Sequence, residues 1–302
     1  MISGVLLLDK PEGLSSNAAL QRVKRVTGAA KAGHVGTLDP LATGMLPICL
    51  GEATKIAGEL NGGRKRYRFE VALGVRTDTG DREGSAVETL PVPALDAARV
   101  EVALQGLRGR QTQVPPMYSA VKRAGRPLYR LARAGLEVER TARLIEIDEL
   151  SLLAVSADAL WLEVLCSKGT YVRVLAEDIA RALGTCGHVR GLRRLWVVPF
   201  EREAMSSLSE VEAICESGGL PPLIAPDLAL PMLAAVTVPA SAAVRLARGQ
   251  TIPAPAPCEP CRVRLYDERG RFLGLGEADG QGSVRPRRMF VPLPQEPPVH
   301  AI

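Results

Sequence analysis

The chain has 302 residues, of which 46% are hydrophobic, 24% charged and only 4% aromatic, and it carries a formal net charge of +5. That is enough chain for one large or two ordinary domains, and the balance is that of a soluble globular protein rather than a disordered or collagen-like one. No run of about 18 apolar residues could span a bilayer, and the short opening run Val5-Leu6-Leu7-Leu8 lacks the basic flank of a secretion signal, so the expected location is the cytoplasm.

Val5 to Leu8 reads as a buried strand. Ser15 is a cap for a helix running to Thr27, with Leu20, Val23 and Val26 on one face and Gly28 beyond its end. Leu46 to Leu50 is a short apolar strand. Tyr67, Phe69, Val71, Leu73 and Val75 alternate with Arg68, Glu70, Ala72 and Gly74, a period of two that predicts a strand with one buried face. Val100, Ala103, Leu104 and Leu107 suit an amphipathic helix, and Leu144 to Leu152 and Ala159 to Cys166 suit an antiparallel pair of strands. Val172, Leu175, Ile179 and Leu183 stripe a helix ending before Gly184, and Ser207-Leu-Ser-Glu210 is a capping box opening another. Pro221, Pro222, Pro226 and Pro231 mark a domain boundary. Beyond it, Ala240 to Arg248 reads as a helix, with strands at Cys261 to Asp267, Arg271 to Ala278 and Val284 to Val291.

Basic residues cluster at Arg64-Lys65-Arg66, Arg190 to Arg194 and Arg285 to Arg288. Arginine makes bidentate contacts to phosphate, so each cluster is either a nucleic-acid contact or simply a solvated surface. The stretch from Gln113 is basic with Tyr118 and Tyr129 interleaved, which suits base stacking beside phosphate contact. Cys258-Glu-Pro-Cys261 lacks a matching second pair of ligands, so no metal site is predicted, and no Gly-x-Gly-x-x-Gly or Walker loop calls for a cofactor.

The most informative stretch is Gly33-His34-Val35-Gly36-Thr37-Leu38-Asp39-Pro40-Leu41-Ala42-Thr43-Gly44. Its glycines permit positive φ and close approach of another chain, and Pro40 pushes Asp39 toward an extended backbone. A loop so constrained can hold one carboxylate still for chemistry. A tight surface turn in which Asp39 bonds its own backbone is the plain alternative.

This stretch resembles the catalytic motif of the TruB-type tRNA pseudouridine synthases. Asp9-Lys10-Pro11-Glu12-Gly13 resembles that family's first motif, and Lys65 to Phe69 followed by Thr77-Asp78-Thr79 its second. Cys166 to Arg173 resembles the third, and His188 to Leu195 follows in the expected order. The resemblance implies an α+β fold with a central mixed, largely antiparallel sheet flanked by helices. It implies a catalytic domain over 1–232 with an RNA-binding insertion at about 113–142 and a small β-rich PUA RNA-binding domain over 233–293; the Pro-rich composition beyond Pro292 predicts a disordered tail over 294–302. The implied activity is conversion of uridine 55 in the T loop of tRNA to pseudouridine, on a flipped-out base, without a cofactor. The partner would be the tRNA T arm, with no obligate protein partner and no membrane.

By resemblance Asp39 is the catalytic carboxylate, as nucleophile or base; attack at ribose C1′, attack at uracil C6 and a glycal route all remain open. Arg173 would pair with Asp39, Tyr67 would stack on the uracil or act as a base, and Tyr171 would be the pocket's second aromatic. Leu192 would pack against the base, His34 would fill the space it leaves, and Lys10 of the first motif would join the substrate-binding set. A guide-RNA-dependent synthase, and an RNA-binding or tRNA-folding chaperone with secondary catalysis, are the alternatives; the basic insertion from Pro115 to Arg140 counts against the first.

Overall fold

In the computed structural model, which describes residues 2–119, 121–123, 125–254 and 259–290, the chain opens with strand β1 (Gly4–Lys10) and helix α1 (Ser16–Thr27). The Ser15 hydroxyl accepts from the Ala18 amide, and Gly28 closes the helix in the left-handed region. There follow β2 (Ala32–His34), β3 (Thr43–Leu50), β4 (Lys65–Leu73), α2 (Ala97–Gln105) and β5 (Gly109–Gln113). Then come β6 (Arg143–Val155), β7 (Ala159–Cys166), α3 (Val172–Ala182), β8 (Gly187–Val197), β9 (Ser206–Ser207) and α4 (Leu208–Glu216), which starts in the expected capping box.

These strands form one nine-stranded sheet in the order β9-β1-β3-β8-β4-β7-β6-β5, with β2 paired to β3 off that path. The β1–β9 and β3–β8 pairs are parallel and the rest antiparallel, the mixed α+β arrangement expected. Two local expectations change. The strand predicted through Val75 stops at Leu73, and Val75–Thr77 turns away to pair with Ala86–Thr89. Strand β8, for which no strand was expected, lies at the centre of the sheet between β3 and β4.

One face of the sheet is dry. Tyr67, Phe69 and Val71 stand opposite Val164, Leu162 and Leu160 and pack with Leu20 and Val23 of α1 and Leu175 and Ile179 of α3. Across β8, β4, β7 and β6 the opposite face carries charge: Arg66, Arg68 and Glu70 alternate with the buried residues of β4. Under β1 and β3 a second apolar cluster joins Leu7, Met45, Ile56 and Phe200 to Leu275 of the C-terminal unit.

That unit contains β10 (Ala234–Val238), α5 (Ala240–Ala247), β11 (Ile252–Pro253), β12 (Cys261–Asp267), β13 (Phe272–Ala278) and β14 (Ser283–Met289). Its five strands run β10-β12-β13-β14-β11 around Val236, Leu246, Val263, Leu265 and Val284. It is fastened to the rest of the chain by Tyr266, whose hydroxyl donates to Asp227 Oδ2 (3.0 Å), by Lys55 Nζ on the Met289 carbonyl (2.7 Å) and by an Arg262–Glu59 ion pair. Between β5 and β6, a two-residue hairpin pairs Lys122–Arg123 with Arg126–Pro127, and Leu128–Arg133 is helical. The expected tail at 294–302 and Cys258 lie outside the described residues. Among those described, no helix is long and apolar enough to cross a membrane.

Helix α3 lies close against the sheet where β8 begins. A Cβ on Gly187 would sit 2.8 Å from the Ala72 carbonyl oxygen and 2.9 Å from Ala180 Cβ. Gly187→Ala therefore overpacks the helix–sheet contact and should cost about 1–3 kcal/mol. Equilibrium urea unfolding checks this: the midpoint falls and the m-value stays constant.

Candidate active site

Asp39 sits on the loop joining β2 to β3, and four ties fix that loop. Ser16, at the start of α1, donates its hydroxyl to the Leu38 carbonyl (2.9 Å) and accepts from the Leu38 amide (2.7 Å), clamping the residue before Asp39. Lys10, wholly buried, donates from Nζ to the carbonyls of Pro11 (2.8 Å), Leu14 (2.6 Å) and Pro40 (3.3 Å). Its three ammonium protons thus meet three carbonyls, and one of these belongs to the residue after Asp39. The Gly13 amide also reaches the Pro40 carbonyl (2.9 Å). Arg194, fully buried on β8, donates from Nε to the Met45 carbonyl (2.6 Å) and from Nη2 to the Gly36 carbonyl (2.9 Å). Two glycines of the loop are needed for backbone reasons: φ is +69° at Gly36 and +100° at Gly44. Gly33 is not, since it lies in β2 with open space around it.

Arg173 meets Asp39 from the first turn of α3. Its Nε lies 3.0 Å from Asp39 Oδ2, and its Nη2 donates to Oδ1 at 3.4 Å. The guanidinium also donates to the Thr79 carbonyl (2.8 Å) and the Tyr118 carbonyl (2.6 Å), and its Nη1 is 3.5 Å from Asp81 Oδ2. Asp81 is itself held by the Thr79 hydroxyl (2.7 Å) and the Glu83 amide (3.0 Å). Arg173 keeps 5% of its side chain exposed while Asp39 keeps 35%, so the pair is closed on the arginine side and open at the carboxylate. Burial pushes the Asp39 carboxyl above its ordinary value; Arg173 pulls it back, Asp81 adds to the rise and Lys10 opposes it.

The other predicted residues surround this pair. Tyr67 is 7% exposed on β4; burial raises its hydroxyl pKa, Arg194 beside it opposes that, and Cys166 and, least, Asp39 add to the rise. Tyr171 is the N-cap residue of α3, its amide donating to Gln113 Oε1 (2.7 Å) and its carbonyl accepting from Gln113 Nε2 (3.2 Å). Leu192 faces Phe69 in the β8–β4 register and packs half-buried on the main core. His34 is held neutral by burial and then by the charge of Arg194, and its buried Nδ1 has no hydrogen-bond partner. Sequence reasoning missed Ser16, Asp81, Gln113 and Arg194. Of these only Asp81 carried a signal: a Thr-x-x-x-Asp run ending in an Asx-type turn next to the second motif.

In the first two clusters every arginine but Arg194 is paired with an acid. Arg64 pairs with Glu146 (2.8 Å) and Asp148 (2.7 Å), Arg66 with Glu163 (2.8 Å), Arg190 with Glu70 (2.8 Å) and Arg193 with Asp9 (2.7 Å). Lys65 is buried on the Gly63 carbonyl (2.8 Å), and burial, with Arg194 beside it, lowers its pKa to about 8. In the third cluster Arg285 and Arg287 share Glu277. A surface of free phosphate-binding arginines is therefore not what these segments build.

The chain was compared with known proteins. A family model described as the N-terminal domain of TruB family pseudouridylate synthases matches residues 24–172. Models of the tRNA pseudouridylate synthase B C-terminal domain and of the pseudouridine synthase II TruB C-terminal region match 173–236 and 234–290. The tRNA pseudouridine synthase B of Aromatoleum aromaticum is 49% identical over 289 residues, covering 96% of this chain and 93% of its own. That of Chromohalobacter salexigens is 50% identical over 291 residues, covering 96% and 94%. This chain belongs to the TruB family of pseudouridine synthases. It is thus an enzyme that isomerises uridine to pseudouridine. Among solved structures, a Cbf5–Nop10–Gar1 complex matches with a TM-score of 0.74 at 23% identity, over 96% of this chain and 85% of that one. An H/ACA ribonucleoprotein bound to a substrate RNA containing 2′-deoxyuridine matches with a TM-score of 0.72 at 20% identity, over 97% and 87%. At that identity the two share the fold with this TruB-family chain.

The electrostatics of the pair predict a pH response. A reaction that needs Asp39 ionised would slow as pH drops through its pKa, which lies above the ordinary 3.8. Asp81 contributes to that rise, so Asp81→Asn should move the acid limb of the single-turnover rate to lower pH. The plateau should drop as well, because Arg173 loses a partner. An unmoved acid limb would mean that Asp81's charge does not reach Asp39.

Proposed function

We propose that this enzyme converts uridine 55 in the T loop of tRNA to pseudouridine, with Asp39 as the reacting carboxylate and without a cofactor. The observation that carries this reading is the Asp39–Arg173 pair: a carboxylate fixed in a rigid loop, gripped by a buried guanidinium, yet open to an incoming nucleoside. The isomerisation breaks the bond between C1′ and the uracil nitrogen and forms one from C1′ to C5. The C5 proton leaves and the nitrogen gains one, so no atoms or electrons need be supplied from outside. The relatives named tRNA pseudouridine synthase B support tRNA as the substrate class.

The target must leave its stack before it can touch Asp39, at a cost of a few kcal/mol. Stacking on an aromatic ring returns about 1–3 kcal/mol per base. Tyr67 suits that role as an aromatic side chain beside Arg194 whose phenol burial pushes still further from ionisation. In this reading Tyr171 and Leu192 complete the walls, and the neutral His34 occupies the space the base leaves. Lys10 acts from beneath, by holding Pro40. The segment 113–142 grips RNA, and the C-terminal unit, 233–293, is a PUA-type RNA-binding domain. A guide-dependent synthase is the weaker reading. The likeness to Cbf5 is one of fold, whereas the relatives that match nearly end to end are named for tRNA.

The deciding assay is tritium release from a T-arm hairpin carrying 5-tritiated uridine, with this protein alone; no release from a saturated complex would overturn the reading. Asp39→Asn should lower the rate by at least about 10³-fold with hairpin affinity retained. More than a tenth of wild-type activity would remove Asp39 from its role.

Arg173→Lys keeps the charge but loses the fork that spans both carboxylate oxygens. Hydrogen bonds to charged groups are worth about 1.5–3 kcal/mol, so this variant should slow roughly 10–100-fold. Near-normal single-turnover kinetics would show that the fork is not needed.

A further inference from the structure

Arg194 is the largest fully buried side chain in the described structure, and among the described residues no carboxylate pairs with it. An isolated buried charge is costly unless its donors are well used. Here Nε donates to the Met45 carbonyl (2.6 Å) and Nη2 to the carbonyls of Gly36 (2.9 Å) and Val35 (3.5 Å). Val35 and Gly36 open the Asp39 loop; Gly44 and Met45 close it.

The backbone of Arg194 adds a second grip. β3 and β8 pair in parallel over only Thr43–Arg193 and Gly44–Arg194, and a Cβ on Gly44 would fall onto the Arg194 carbonyl. At the other end, a Cβ on Gly36 would sit 3.0 Å from Arg194 Nη1. That Nη1 is buried and meets no acceptor in hydrogen-bonding geometry, although the Tyr67 hydroxyl lies beside the guanidinium. Both glycines of the loop with positive φ are therefore packed directly on this one residue.

We propose that Arg194 is the positioning residue of the Asp39 loop: one guanidinium in the middle of the sheet that ties both ends of the loop and so fixes where the reacting carboxylate stands. Fully buried, it acts through Asp39, so the inference rests on Asp39 being the reacting group. The charge it carries also falls on the pocket, where it adds to burial in lowering the pKa of His34 and Lys65.

Arg194→Lys keeps the charge and removes the fork, since one ammonium cannot reach Met45 and Gly36 from the planar geometry that serves both. The experiment measures hairpin affinity and the single-turnover rate of tritium release at saturating T-arm hairpin, for wild type and for R194K shown to be folded by circular dichroism. The expected result is a chemical rate at least tenfold lower, with affinity within threefold of wild type. A residue that merely supported the fold would lower the melting temperature and leave the rate of the folded protein intact. A loss smaller than tenfold, or one that disappears as RNA is raised, overturns the proposal. Should R194K fail to fold, Arg194→Met, which keeps the bulk and removes the charge and every donor, is held to the same thresholds. The wild-type control separates the two ideas. If wild type itself releases no tritium, the functional reading fails. If wild type reacts and the variant matches it, only the role of Arg194 falls.

Discussion

The contact on which the site depends is the one between Asp39 and Arg173. A guanidinium in the first turn of a helix sits at the positive end of the helix dipole, where a cation is mildly disfavoured. Arg173 is also almost wholly buried, so it must be surrounded by acceptors. It finds them on three separate segments: Asp39 from the β2–β3 loop, Thr79 and Asp81 from the turn after the Val75–Thr77 strand, and Tyr118 from the segment beyond β5. None of these segments is near another in sequence. The nine-stranded sheet brings them to one place, and the pair can form only when β4, β8 and α3 are all in register.

The same pair explains why the loop bearing Asp39 is so firmly tied. A partly desolvated carboxylate gains most from its arginine when it cannot move away, and a shift of an ångström would lose the paired geometry. Ser16 holds Leu38, Lys10 holds Pro40 and Arg194 holds Gly36 and Met45. Three polar side chains that could have faced water are spent inside the protein on main-chain carbonyls. Each satisfies groups that a non-helical, non-strand loop would otherwise leave buried and unpaired.

How much of this was legible follows from the range of the forces involved. Helix α1 could be read from Ser15, its apolar stripe and Gly28, because caps and periodicity act within a few residues. The capping box of α4 and the alternation of β4 are local in the same way. Strand β8 was not legible, because its register shifts between Val189 and Gly191 and again between Arg194 and Trp196, which breaks the period of two. Its arginines read as a phosphate cluster for a related reason. The acids that neutralise Arg190 and Arg193 are Glu70 and Asp9, more than a hundred residues away along the chain and adjacent only in the fold. The Asp39–Arg173 pairing is just as distant, and it was foreseen only through the resemblance of the motifs that carry it.

A net charge of +5 therefore says little about where RNA would lie. Much of the arginine excess is used within the protein, in ion pairs on the far face of the sheet or in carbonyl contacts beneath the loop. What remains tied to the site is the segment beyond β5. Gln113 brackets the Tyr171 backbone from both sides, and the Tyr118 carbonyl shares Arg173 Nη2 with Asp39. The placement of that segment and the electrostatics of the Asp39 carboxylate are thus not independent. A contact that draws Tyr118 away from Arg173 leaves Nη2 with its longer bond to Asp39 Oδ1.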